Sequence, residues 1–300
     1  INYFESDFLV FNVPYHYDLV ATNPPYGKTT TKYPTITGTE HKTKNLFALF
    51  LLKLYGVADD LVCIIPKNFA IADEFYSVRR QYQNFPIARI CDFGVKFFKK
   101  VFVEIISIHF SDRYSGRTEV VDYINNRIYS HPQGYMYHRK LWLLYREAWF
   151  DEFLQSLTLD VFDFYRDRAI TNAKVQDAGR IRVLRSKNIE DDGSVVSIPG
   201  YDKFINDASL FAVGRYLNSR AIIMPNFTYN TRATILPDNS IPNGSIAILL
   251  PKRPLGDIDL GLYATPEFRR YYAIVKSYSK FTLNIDDCSI YYIGIKNATV

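Results

Sequence analysis

The residues with the most legible chemistry are Asn23-Pro24-Pro25-Tyr26-Gly27-Lys28. A side-chain amide, exposed carbonyls and an aromatic face stand close together there. Neither proline has a backbone N–H, so a sheet ladder cannot run through them. Each also pushes the residue before it out of the helical region. A stiff loop of this kind suits a planar, hydrogen-bonding substrate such as a nucleobase. The bare tetrapeptide also reads as a simple tight turn. The stretch in front separates the two readings. Tyr17-Asp18-Leu19-Val20-Ala21-Thr22 predicts a short buried strand, and ligands of open α/β sheets bind at the carboxyl ends of strands.

The loop needs a sheet to hold it. Apolar residues at helical spacing predict a helix over 45–56, closed by Gly56. Residues 61–66 predict a second buried strand, ended by Pro66, with Lys67-Asn68-Phe69 as another strand-end loop. A helix is expected over 73–83, a third strand over 87–93, and a fourth over 101–110, antiparallel at the sheet edge. This alternation argues for a parallel or mixed sheet covered by helices. The stretch 24–43 has no period and predicts a mobile loop whose lysines, with Lys44 at its border, face solvent or phosphate.

After about residue 112 the texture changes. Polar hairpin-like pieces fill 114–137, and an amphipathic helix is expected over 139–157. Short β-like segments follow at 181–184, 194–198, 220–224, 233–236, 245–250 and 289–295, with one helix over 266–278. The expected fold class is α/β, followed by a β-rich α+β domain. The expected division is 1–125, a linker and bridging helix over 126–158, and 159–300.

Composition sets the outer bounds. Three hundred residues suggest about two domains. A chain 48% hydrophobic and 22% charged builds cores and is not a disordered polyelectrolyte. A formal charge of +5 fits a polyanion partner without demanding one. Cys63 and Cys91 sit in apolar runs, and with Cys288 they make an odd number, so reduced thiols are expected rather than disulfides. Cys and His show no metal-ligand spacing. No stretch has the length of a membrane span and no signal peptide is visible. The expectation is a reduced, cytoplasmic protein with no membrane association and no metal.

Several motifs now fall in one order. Asp7-Phe8 precedes the strand and Asn23-Pro24-Pro25-Tyr26-Gly27. Lys44-Asn45-Leu46-Phe47 leads into a helix. The strand over 61–66 is followed by Asn68-Phe69, and Phe98 stands ahead of Val103-Glu104-Ile105-Ile106. Over roughly residues 1–112 this order resembles the N6-adenine-specific DNA methyltransferases of bacterial restriction–modification systems, in the class with a C-terminal target-recognition domain. Asn-Pro-Pro-Tyr alone also occurs in RNA and protein-glutamine methyltransferases. The resemblance implies a Rossmann-like methyltransferase sheet, S-adenosylmethionine as cofactor and double-stranded DNA as partner. It implies a catalytic loop of Asn23, Pro24, Pro25 and Tyr26. Asp7, Phe8, Asn23 and Asn45 would contact the cofactor, and Phe98 and Lys28 would line the target-base pocket. Asp7 as a turn aspartate, Asn45 as an ordinary helix-start residue and Phe98 as a core aromatic remain open. Lys96, Lys99 and Lys100 argue that Phe98 lies in an exposed loop.

The chemistry agrees with that order. An exocyclic adenine amine is a poor nucleophile because its lone pair is delocalised into the ring. Hydrogen bonds from its two hydrogens to the Asn23 side-chain oxygen and the Pro24 carbonyl favour a pyramidal nitrogen aimed at a methyl sulfonium. Positioning and electrostatics carry such a step. A base in a duplex must first be flipped out, and stacking on Tyr26 offsets part of that cost. One departure stands out. The family carries a glycine-rich cofactor loop and an acidic ribose contact before the position of Asp7, and no Gly-x-Gly lies upstream of Asn23. This chain alone is therefore expected to methylate DNA inefficiently, as a partial catalytic domain. A missing N-terminal half or a restriction endonuclease domain would be its partners.

The second half reads as DNA target recognition. Arg180, Arg182, Arg185 and Lys187 fall at near-alternate spacing, suited to phosphates or guanine edges, or to a solvated strand face. Asn226, Tyr229, Asn230 and Arg232 mix amides, an aromatic and a cation in one expected loop, which suits base edges in the major groove. Two alternatives remain: an RNA or protein-glutamine methyltransferase, which would not need so large a β-rich second half, and a non-catalytic DNA-recognition module.

Overall fold

The apolar runs of the first half become the strands of one mixed sheet. The structure, a computed structural model, describes residues 3–37, 43–95, 103–114, 116–226, 228–279 and 283–297. The chain divides into two compact units, Ile1–Arg146 and Glu147–Val300.

The first unit holds β1 (Tyr17–Thr22), α1 (Pro34–Thr37), α2 (Leu46–Leu54), β2 (Ala58–Pro66), α3 (Tyr76–Tyr82), β3 (Ile87–Gly94), β4 (Ile105–Ser111), β5 (Arg117–Asp122), β6 (Arg127–Pro132), α4 (Gln133–Met136), β7 (Tyr137–His138) and β8 (Leu141–Trp142). Its six-stranded sheet has the order β1-β2-β4-β3-β5-β6. β1 runs parallel to β2 and β3 parallel to β5, while β4 is antiparallel to both of its neighbours. The β1–α2–β2 connection is a parallel crossover. α2 buries six of its nine residues, among them Phe47, Leu51 and Leu54, because it is apolar nearly all round.

Two strands depart from expectation in opposite ways. β4 was expected at the sheet edge and lies inside it. Ile105, Ile106, Ile108 and Phe110 are all buried, and a strand apolar on both faces belongs between other strands. β1 was expected to be buried and instead forms an edge of the sheet, with Leu19 57% exposed. A short apolar run does not reveal whether one or two neighbours will pair with it. The helix expected over 139–157 also shortens. Arg139 has φ 55, outside the helical region. Trp142, Leu143, Leu144 and Tyr145 are all buried, which is a solid run and not one helical face. Residues 126–146, expected as a linker, therefore belong to the first unit.

A charged cluster ties the strand ends together. Lys67, directly after Pro66, lies 2.6 Å from Asp92 Oδ2 and 3.6 Å from Glu104 Oε1, as ion pairs outside hydrogen-bond geometry. The Tyr145 hydroxyl donates to Asp92. All four side chains are buried, so the ends of β2 and β3 and the residue before β4 are held by mutual pairing.

The second unit contains α5 (Ala148–Gln155), β9 (Leu157–Thr158), β10 (Phe162–Tyr165), β11 (Ile181–Leu184), β12 (Lys203–Ile205), β13 (Ile222–Pro225), β14 (Thr234–Ile235), β15 (Ser240–Pro242), β16 (Ile246–Pro251), α6 (Pro266–Val275) and β17 (Ile295–Lys296). Its sheets are β10-β16-β13-β14, β12-β11-β15 and β9-β17. α6 starts where its residues dictate: Thr265 Oγ1 accepts from Phe268 N–H, and Pro266 follows at a position needing no donor. The segment 194–198, expected as a strand, makes only an isolated bridge between Ile189 and Val195. Over 289–295 the chain instead forms a 3₁₀ turn (Ile290–Tyr292) before β17. No helix among the described residues is long and apolar enough to cross a membrane.

Candidate active site

Asn23 follows directly on β1, whose last pair with β2 is Thr22 with Cys63. Pro24 and Pro66 have no N–H to extend the ladder further. Among the described residues no donor reaches the Pro24 carbonyl. Asn23 is exposed, Pro24 is buried and Tyr26 is half-buried. The Tyr26 ring stands edge-on to Phe47, centroids 6.3 Å apart. Phe47 packs in turn on Phe75 at 4.8 Å and on Phe69 at 6.3 Å. Core aromatics thus brace the one aromatic of the loop that still reaches the surface.

The loop turns at Gly27, whose φ of 127 strains any other residue. Gly27 O then accepts from Leu46 N–H (2.8 Å), and Thr29 N–H donates to Lys44 O (2.9 Å). These bonds fix the loop against the start of α2. Asn45 caps that helix by position without a side-chain cap bond, and its buried Oδ1 finds no hydrogen-bond partner among the described residues. Burial pushes the Cys63 thiol behind the loop up to about 12, so it is no nucleophile.

Asp7 is exposed and engaged locally. Leu9 N–H donates to its Oδ1 (2.9 Å), and the Tyr33 hydroxyl reaches Oδ2 at 3.4 Å. It sits as a turn aspartate, with Oδ1 on the backbone two residues on. Phe8 lies against Phe50 at 4.8 Å and borders a cavity of about 290 Å³ walled by Phe4, Phe11, Val20 and Leu54. Of the three residues expected at the cofactor, Phe8 borders this cavity, while Asp7 and Asn45 are not among the residues that wall it. Lys28, expected beside the target base, pairs with Glu74 at 3.4 Å while 67% exposed. Phe98 and its neighbouring lysines lie outside the described residues.

In the second unit the expected DNA-contacting residues separate into two groups. Arg180, Lys187 and Tyr229 are exposed. Arg185 and Lys187 both lie on the Tyr201 ring, at 5.2 and 5.7 Å from its centroid. Tyr201 was not singled out from sequence, since only the fold brings it beside those cations. Arg182 turns inward to Asp202 (2.9 Å), so the four basic residues do not share one face. Asn230 is half-buried and donates to Asp191 Oδ2 (2.9 Å).

Asn226 and Arg232 do not fit the base-reading role expected of them. Asn226 is 0% exposed and its Oδ1 accepts from Ile285 N–H (2.8 Å). Arg232 is 8% exposed, and its guanidinium donates to the carbonyls of Ile189, Ser186 and Asn230 and to Thr228 Oγ1. The Asn226 oxygen and the Arg232 donors are thus engaged inside the domain, while the buried Asn226 Nδ2 finds no partner among the described residues.

No protein-family model and no curated protein matches the sequence. Among solved structures, the chain is similar to the methyltransferase subunit of a type I restriction-modification system from Streptococcus thermophilus. The identity is 15% over 39% of this chain and 29% of that one, with a TM-score of 0.32. It is similar to the type IIG restriction endonuclease BpuSI, at 12% identity over 94% of this chain and 47% of that one, with a TM-score of 0.39. It is also similar to a nuclease-deletion mutant of the Type ISP restriction-modification enzyme LlaGI in complex with a DNA substrate mimic. There the identity is 12% over 91% of this chain and 40% of that one, with a TM-score of 0.44. The chain spans about a quarter of the length of the first of the type I structures it matches, and less than half of each of those named here.

Proposed function

We propose that the protein transfers a methyl group from S-adenosylmethionine to the N6 amine of a flipped-out adenine in duplex DNA, as a cytoplasmic component of a restriction–modification system. One observation carries the reading. The Asn23 side chain stands exposed at the carboxyl end of β1, beside a Pro24 carbonyl that no donor among the described residues reaches. Two acceptors on adjacent residues match the two hydrogens of one exocyclic amine. Asn23 and Pro24 hold that amine, turn its lone pair outward, and stabilise the positive charge it gains as the bond forms. The half-buried Tyr26 ring stacks on the base once it leaves the helix, a contact worth about 1–3 kcal/mol. Asp7 and Asn45 orient the cofactor through its amine, and Phe8 stacks beside it. When bound, the cofactor supplies the electrophilic methyl group. The proton leaves the amine late, so no strong base is required. In the second unit, Arg180, Arg185, Lys187 and Tyr229 contact the duplex from the surface.

The test uses the full-length protein that carries this chain, methyl-labelled S-adenosylmethionine and duplex DNA, tRNA and protein in parallel. Label on adenine N6 at one sequence supports the proposal. Label on tRNA or on a protein glutamine replaces it with one of the two alternatives that share the loop. DNA binding without any transfer replaces it with a recognition module.

A further inference from the structure

The Tyr26 hydroxyl faces two acceptors at once. The Asn23 side-chain oxygen is at 3.1 Å and the Ile64 carbonyl at 3.2 Å. One hydrogen between two acceptors makes a three-centre bond. Proline explains why the Ile64 carbonyl is left for it. The β1–β2 ladder ends at Thr22 and Cys63, and Pro24 has no N–H to offer β2 beyond that pair. The tyrosine hydroxyl supplies a donor where the backbone has none. Its ring is fixed at the far side by the edge-on contact with Phe47.

We propose that the Tyr26 hydroxyl is a positioning group for the Asn23 amide, distinct in role from the Tyr26 ring. The geometry stands by itself; the catalytic consequence rests on the adenine reading above. An amide oxygen has two lone pairs. One is taken by the hydroxyl, and the other remains on the exposed side, where an incoming N–H approaches. The last torsion of asparagine is broad and roughly two-fold, so an untethered amide also presents its NH₂ to that side. An NH₂ facing a substrate N–H is repulsive. The hydroxyl selects the accepting orientation before the base arrives and so lowers the cost of reaching the reactive geometry. Burial raises the Tyr26 pKa, which keeps the donor protonated at ordinary pH.

The test is Tyr26→Phe in the full-length protein, which removes the hydroxyl and leaves the ring. In asparagine-labelled free protein, the NMR order parameter of the Asn23 side-chain amide should fall. In turnover, kcat for methyl transfer should fall about tenfold, with KM for DNA and the fluorescence of 2-aminopurine at the target unchanged. Tyr26→Leu should lose the fluorescence change as well. An unchanged thermal midpoint for Tyr26→Phe separates positioning from folding. If the order parameter and kcat both stay at wild-type values, the positioning role is overturned while the adenine reading stands. If kcat and the 2-aminopurine signal fall together, the hydroxyl acts through the ring and the proposal is overturned. If the order parameter falls but the wild type transfers nothing to adenine, the positioning stands and the adenine reading is lost.

Discussion

The loop around Asn23 and the loop around Asn226 use similar residues to opposite ends. Each combines asparagine, an aromatic and a cation. Asn23 is exposed at a strand end, while Asn226 is 0% exposed and bonded to Ile285. The difference lies in the donors. Pro24 and Pro25 give the first loop no backbone donor; among the described residues nothing reaches the Pro24 carbonyl, and the Asn23 oxygen takes only the Tyr26 hydroxyl on an exposed residue. Arg232 carries five donors into the second loop and ties the carbonyls of Ile189, Ser186 and Asn230 to itself. Composition alone predicts a base-reading surface in both places. Donor supply decides which loop keeps its polar groups for a ligand.

The contrast can be broken at either end. Asn23→Ala should cost the largest effect on turnover, about 100- to 1,000-fold in kcat, with unfolding free energy changed by less than about 0.5 kcal/mol. Steady-state kinetics beside urea melts would show it, and retained activity would refute the amine-holding account. Arg232→Met should do the reverse, losing about 3 kcal/mol of stability because several buried carbonyls lose their donor together. A unit-weakening melt is the readout. A variant of normal stability with relaxed sequence preference would return Arg232 to base reading. Asn226→Ala should cost about 2 kcal/mol by stranding the Ile285 N–H.

Two smaller effects sharpen the division among the basic residues. Lys187→Ala should lower the slope of log affinity against log salt for duplex DNA by about 0.9, the value for one lost phosphate contact. Arg182→Ala should leave that slope unchanged, because its guanidinium is paired with Asp202. Burial alone would push the Asp202 carboxyl up. Hydrogen bonds from Asn188 and Arg182 outweigh it and hold the carboxyl below its ordinary value. The stabilisation is therefore complete above the ordinary carboxylate value and is lost as pH falls through the lowered one. Urea midpoints measured down the acid range should show that loss, and Asp202→Asn should abolish this component of it.

Sequence by itself determined the local elements whose cause is local. The strand before Asn23, the helix after Asn45 and the start of α6 at Thr265-Pro266 follow from apolar period, proline chemistry and capping. The stiffness of Asn23-Pro24-Pro25-Tyr26 is of the same kind, since missing N–H groups need no context. Tertiary structure alone decided where each strand sits. β1 became an exposed edge and β4 an interior strand, because pairing depends on residues far away in the chain. It also decided whether a polar side chain serves a ligand or the core. Arg182, Asn226 and Arg232 turn inward because a distant carboxylate, a backbone N–H and several carbonyls wait there. Tyr201 gains its two cations, and the Tyr26 hydroxyl its hold on Asn23 and Ile64, only once the chain has folded. A residue type states what bonds it can make, and only the neighbours brought by the fold state which bonds remain to be made.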